Sequence, residues 1–170
     1  MRTFLFFIAA TLFAESVAGL HWSMPAGWKA GGERPMRAAT YTVPAAAGDH
    51  EDAECAVYFF GQGQGGGVQA NIDRWKGQFS QANGQPTTPK IAKRTIHGLP
   101  VTTVELAGNY TGMGGPMAAA PSAKGGYRML GAIIENPGGN IFLKFAGPEK
   151  TVAANQAKFE QLLASFDKAH

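Results

Sequence analysis

The sequence predicts an α+β protein, a mainly antiparallel sheet of about six strands flanked by helices. Three observations carry that reading. Apolar and β-branched runs recur in pairs around turns bearing glycine and proline, the pattern of hairpins. Between the second and third runs, Val68, Ile72, Trp75 and Phe79 recur at i, i+4, i+7 and i+11, one face of a helix. A second helical face follows Pro148 and closes the chain.

Taken in order, Met36–Val43 (MRAATYTV) combines partial alternation with β-branched and aromatic residues, a strand pattern. Pro44–Asp52 is a connection of small and polar residues, and Ala53–Phe60 is the second strand. The helix over Val68–Phe79 is followed by the loop Ser80–Pro89. Lys90–His97 and Val101–Tyr110 flank Gly98-Leu99-Pro100 as a hairpin. Thr111–Gly126 is the longest irregular stretch, and within it Met113–Pro121 is an apolar candidate for a partner surface. Tyr127–Glu135 and Asn140–Ala146 flank Pro137-Gly138-Gly139, a second hairpin. The final helix is expected over Thr151–Asp167, with Val152, Phe159, Leu162, Leu163 and Phe166 as its apolar face. Trp75 and Phe159 are the residues expected to be buried against the sheet, one from each helix.

Residues 1–18 have the form of a secretory signal peptide. Arg2 supplies charge, Phe4–Ala14 is apolar, and Ser16-Val17-Ala18 places small residues before a cleavage point. The apolar stretch is well short of the roughly 20 residues that span a bilayer. The expected product is a single domain, 19–170, secreted or periplasmic and without stable membrane insertion. A chain of that size buries roughly two-thirds of its unfolded surface. The leader contains one basic and one acidic residue, so the net charge of +3 is unchanged by its removal. That excess is small and scattered, which argues against nucleic acid as a partner. Lys90, Lys93 and Arg94 form the densest basic cluster and read as the solvated face of a strand. Cys55 is the single cysteine, so no intramolecular disulfide forms, and its apolar surroundings predict a buried thiol.

Two stretches carry a resemblance. Trp22-Ser-Met-Pro25-Ala-Gly-Trp28 resembles the aromatic-x-x-Pro-x-x-Trp entry of Mog1/PsbP-like domains. Gly147-Pro148, Thr151-Val152 and Phe159-Glu-Gln-Leu162-Leu-Ala-Ser165-Phe166 resemble the closing helix of that group. The segment Met36–Tyr41 with FGQGQGGGVQANIDRW is similar to an exported bacterial family of uncharacterised proteins. The broader resemblance implies an antiparallel sheet between helices and a binding or assembly role without catalysis. Photosystem and Ran-binding roles belong to particular members, and no residue here matches a motif that would transfer them.

The chemistry centres on Gly61–Gly67, five glycines in seven residues between a strand and a helix. Unpaired N–H groups and the helix dipole at such a junction can hold an anion. Gln62, Gln64, Gly65, Gly66, Asn71 and Arg74 are therefore the candidate ligand residues, for a small anionic or polar ligand or a protein partner. The alternative is structural: glycines permit positive φ at a sharp reversal. Gly61-x-Gly63-x-x-Gly66 matches the dinucleotide fingerprint in form, but hairpins follow it and no acidic residue lies about twenty positions on. No Gly-Lys-Ser or Gly-Lys-Thr occurs, which removes a Walker loop. His21, His50, His97 and His170 are far apart, so no zinc pattern is present. Asp49, His50, Glu51, Asp52 and Glu54 lack calcium-loop spacing and read as a solvated turn. Neither a metal nor a cofactor is expected, and no catalytic residue is named. The reading is an exported non-catalytic binding or assembly module. The alternative is a hydrolase or transferase, which requires a concave pocket with two titratable groups in hydrogen-bond reach.

Overall fold

The computed structural model describes residues 14–112 and 123–169. Its elements are β1 (Ala14–Val17), β2 (Leu20–Ser23), β3 (Lys29–Ala30), β4 (Arg37–Val43), β5 (Ala53–Phe59), α1 (Val68–Lys76), β6 (Phe79–Ser80), β7 (Lys90–Ile96), β8 (Leu99–Tyr110), β9 (Lys124–Ile134), β10 (Ile141–Pro148), α2 (Glu149–Ala154), α3 (Gln156–Ala164) and β11 (Asp167–Lys168). The class is α+β, and the six strands expected from the sequence are all present. The sheet is larger than expected. Among the described residues it has eight strands, ordered β3-β4-β5-β10-β9-β8-β6, with β7 also on β8. A second sheet of three strands runs β1-β2-β11. The strands not foreseen are two to four residues long, too short to display a period of two.

Neighbouring strands pair antiparallel throughout. Ile96 pairs with Leu99, so β7 and β8 are joined by His97-Gly98 alone. Both residues have positive φ, 45° and 77°, as a two-residue hairpin turn requires. Leu99 and Pro100, expected in the turn, belong to β8 instead. The second hairpin joins Ile134 to Ile141 around Pro137-Gly138-Gly139, where the sequence placed it. Lys124–Gly126 extend β9 rather than the irregular stretch, and Met113–Pro121 lies outside the described residues.

Alternation along the strands divides two cores. Ile141, Leu143 and Phe145 of β10 join Cys55 and Val57 of β5 on one face. There they meet Val152 of α2 and Phe159, Leu162 and Leu163 of α3. Phe142 of β10 points to the other face, with Val104, Leu106, Met129 and Ile133, beneath Ile72 and Trp75 of α1. Trp75 is 5% exposed and Phe159 2%, so each helix buries its expected aromatic, on opposite faces. Gly131 of β9 admits Trp75, since a Cβ there would lie 2.6 Å from the ring.

The closing helix is interrupted. α2 begins two residues earlier than expected, and Asn155 (φ −107°, ψ 9°) separates it from α3. The Asn155 amide donates to the Thr151 carbonyl at 2.9 Å and its oxygen accepts from Trp28 Nε1 at 3.1 Å. Trp28 is buried with Trp22 in the first core, so both aromatic ends of the opening motif serve packing. Cys55 is buried and free. β1 falls within the expected leader; there the Glu15 carboxylate accepts from Tyr41, whose hydroxyl accepts from Trp22 Nε1 at 2.8 Å.

Candidate functional site

The glycine loop is built largely by backbone geometry. Gly61, Gly63, Gly65 and Gly66 have positive φ, between 71° and 105°, so a side chain at four of its five glycines would be strained. At Gly65 a Cβ would also come within 2.7 Å of the Phe60 and Phe142 rings. Asn71 is 2% exposed, and its Nδ2 donates to the Gly65 and Gly67 carbonyls, each at 2.9 Å. Its Oδ1 accepts from Arg74 Nη1 at 3.0 Å. Gln62 turns away to donate to the Pro137 carbonyl at 2.8 Å, and Gln64 is exposed. The structure therefore brings Gly65, Gly66, Asn71 and Arg74 together as one internally bonded clip. Gly67 precedes α1 as its N-cap, with no side-chain cap.

A different set of residues forms a cleft on the same face of the sheet. α1 covers only part of that face. Beyond it, Arg37 (β4), Glu54 and Tyr58 (β5), Tyr110 (β8), Lys124 and Tyr127 (β9) and Lys144 (β10), with Glu51 and Asp52, line a cleft of about 310 Å³. Lys144 is at the centre. It shares a face of β10 with Phe142 and Ala146, and its cross-strand neighbours are Ala56 and Gly131. Ala56 leaves room for a long side chain to rise from the middle of the sheet, while Trp75 covers Gly131. Lys144 is 5% exposed. Its ammonium donates to Gln78 Oε1 at 2.5 Å and to the Tyr110 hydroxyl at 2.9 Å. Gln78 is held in turn: its N–H donates to the Trp75 carbonyl at 3.0 Å, and its carbonyl accepts from the Thr111 N–H at 3.0 Å.

The other cations of the cleft are paired. Arg37 binds Glu54 at 2.7 Å and Lys124 binds Glu51 at 2.8 Å, while Tyr127 donates to Glu51. Asp52 accepts from the Ala45 N–H at 2.9 Å. Lys144 has no carboxylate partner among the described residues. Burial, and secondarily the positive charge of Arg37, lower its pKa to about 8. Burial pushes the Tyr110 hydroxyl up to about 12 and raises Tyr58 and Tyr127 as well. Hydrogen bonds from Lys124 and Tyr127 hold Glu51 below the usual carboxylate range. The Tyr110 and Tyr127 rings stack, with centroids 5.4 Å apart, and Lys144 lies 5.0 Å from the Tyr110 centroid. Chemically, this is an aromatic wall around one buried amine that carries no counter-ion of its own. Lys144 and Tyr110 also meet the requirement of two titratable groups in hydrogen-bond reach.

Sequence reasoning missed this site. The available signal was Lys144 itself, a cation inside the apolar run IFLKFA, where an unpaired charge is costly. The acidic turn is solvated as read, with His50, Glu51 and Asp52 exposed, and it makes internal bonds as well. Glu51 and Glu54 line the cleft, and Asp49 Oδ2 accepts from the Thr151 N–H at 2.8 Å at the start of α2. Among the described residues no cluster of His, Cys, Asp and Glu could hold a metal ion, and no helix is long and apolar enough to cross a membrane.

No protein-family model and no curated protein matches the chain. Solved structures do. Cyanobacterial PsbP (CyanoP) from Synechocystis sp. PCC 6803 is similar with a TM-score of 0.52 and 14% identity, over 89% of this chain and 87% of that one. The protein of unknown function PA94 from Pseudomonas aeruginosa, a putative regulator, is similar with a TM-score of 0.52 and 11% identity, over 91% and 94% of the two chains. The fold is Mog1/PsbP-like, as the resemblance of the sequence implied.

Proposed function

We propose that this chain is an exported, non-catalytic binding module whose ligand site is the cleft around Lys144. One observation carries the reading: a buried ammonium bonded only to neutral acceptors, Gln78 and Tyr110, in a cleft whose other cations already have carboxylates. A buried charge without a counter-ion is destabilising, and a ligand carboxylate would supply the missing partner. The tyrosine rings would stack on a flat ligand. The similarity to PsbP and to a putative regulator accords with a role other than catalysis. The probe is benzoate, small, anionic and aromatic. Calorimetric titration should show binding that weakens at least tenfold in Lys144→Met. Equal affinity for both proteins would remove the cleft as the site.

A hydrolase or transferase is the second reading, favoured by the Lys144–Tyr110 pair. It requires ester turnover that falls in both Lys144→Met and Tyr110→Phe; turnover indifferent to both would end it.

Export rests on the charged start and apolar run before Gly19. Cleavage after Ala18 would strip β1 from the edge of the three-stranded sheet and leave Tyr41 with its bond from Trp22. Among the described residues the fully buried core begins at Leu20, and cleavage would remove only the partly buried Val17 and Ala18 from its edge. Mass spectrometry of the protein from its native host should find an N-terminus within a few residues of Gly19. An intact Met1 in the soluble cytosolic fraction would overturn export.

A further inference from the structure

We infer that the cleft captures aldehydes covalently, the Lys144 amine forming an imine that the Tyr110 hydroxyl assists. The inference rests on the cleft being the ligand site. The geometry supports it in three ways. Lys144 lines an open cleft and is flanked on β5 by Ala56, which lines the same cleft, so a small electrophile has room beside the amine. Its polar contacts are neutral acceptors, and Glu54, whose charge favours the ammonium, is bound to Arg37. Lys124, in contrast, is bound to Glu51, which raises its pKa. Third, Tyr110 stands 2.9 Å from the nitrogen, within reach of any atom bonded to it.

The protonation states agree. With a value of about 8, Lys144 near pH 7 has a neutral fraction on the order of a hundredfold above that of an ordinary lysine. Tyr110, pushed up to about 12, keeps its proton over the same range. In the reaction, the nitrogen lone pair adds to the carbonyl carbon, and the C=O π pair moves to oxygen. A proton passes from nitrogen to that oxygen through the Tyr110 hydroxyl, giving a carbinolamine. A second proton, relayed the same way, leaves with the hydroxyl as water while C=N forms. One amine and one aldehyde become one imine and one water. No oxidant is needed, and Tyr110 is regenerated. The tyrosine-lined walls favour an aromatic aldehyde.

The test exposes the intact chain to benzaldehyde and sodium cyanoborohydride at pH 7 and locates the reduced adduct by peptide mass spectrometry. Lys144 should be labelled at least tenfold faster than Lys90 and Lys93, which are exposed on β7. Tyr110→Phe should slow Lys144 labelling tenfold or more, as loss of a proton donor does, and leave Lys90 unchanged. Equal rates at the three lysines of the unmodified protein would overturn the inference without recourse to any variant. Benzoate separates the two levels. Benzoate binding that persists while Lys144 stays unlabelled overturns the imine alone, and failure of both overturns the ligand site as well.

Discussion

Replacing Lys144 with methionine keeps most of the side-chain volume and removes the charge. In the folded protein Lys144 titrates at about 8, against an ordinary value of 10.5. At about 1.4 kcal/mol per pKa unit, the folded state carries a cost of roughly 3 kcal/mol wherever both states are protonated. The sign follows from the lowered value. Between pH 8 and 10.5 the unfolded chain binds the extra proton, so stability rises with pH through that window, and the full cost applies below pH 8. Raising the pH from 7 to 9.5 should recover about 2 kcal/mol. The groups facing the amine are Arg37 from β4, Glu54 and Tyr58 from β5, Tyr110 from β8, and Lys124 and Tyr127 from β9, with Glu51 and Asp52 before β5 and neutral Gln78 after α1. The tyrosines have raised values and act oppositely as pH approaches 10, so the comparison stops at 9.5, and both proteins share that contribution. The lost bonds to Gln78 and Tyr110 offset about 1 kcal/mol each, which puts the variant roughly 1 kcal/mol above the parent at pH 7. Urea unfolding at pH 7, 8, 9 and 9.5 measures the difference. It should move by about 2 kcal/mol against the variant as pH rises. A difference constant to within about 0.5 kcal/mol would show that the amine titrates as an ordinary surface lysine, and the counter-ion argument would fail.

Two further perturbations test the supports of this face. Trp75→Ala should cost about 3–5 kcal/mol in the same assay, because it empties the space over Gly131; a loss below about 1 kcal/mol would place the ring outside the core. Asn71→Ala removes both bonds that clip the glycine loop and should cost about 1–3 kcal/mol, whereas exposed Gln64→Ala should stay within about 0.5 kcal/mol. Equal, small effects would mean that the loop is held by its glycines alone.

The main strands were legible because their signals are local. Ala53–Phe60 and Asn140–Ala146 announce themselves by β-branched and aromatic runs ended by glycine and proline, and each lies within a residue or two of β5 and β10. The helix face of Ile72 and Trp75 was equally plain, since helical spacing needs only a dozen residues to declare itself. The break at Asn155 was not, because Trp28, 127 residues away, supplies one of its partners. The glycine loop drew attention as an excess of glycines. Only the backbone angles reveal that four of the five are required by positive φ.

The sequence by itself determined the fold class, the succession of the long strands along the chain, the two buried helix faces and the isolation of Cys55. Tertiary structure alone decided where the chemistry lies. Lys144 meets Gln78 66 residues away and Tyr110 34 residues away, and its room comes from Ala56 on a neighbouring strand. Periodicity and turn chemistry act between near neighbours along the chain. The burial of a charge, and the pKa and reactivity that follow from it, depend on which distant residues the strand register sets beside it.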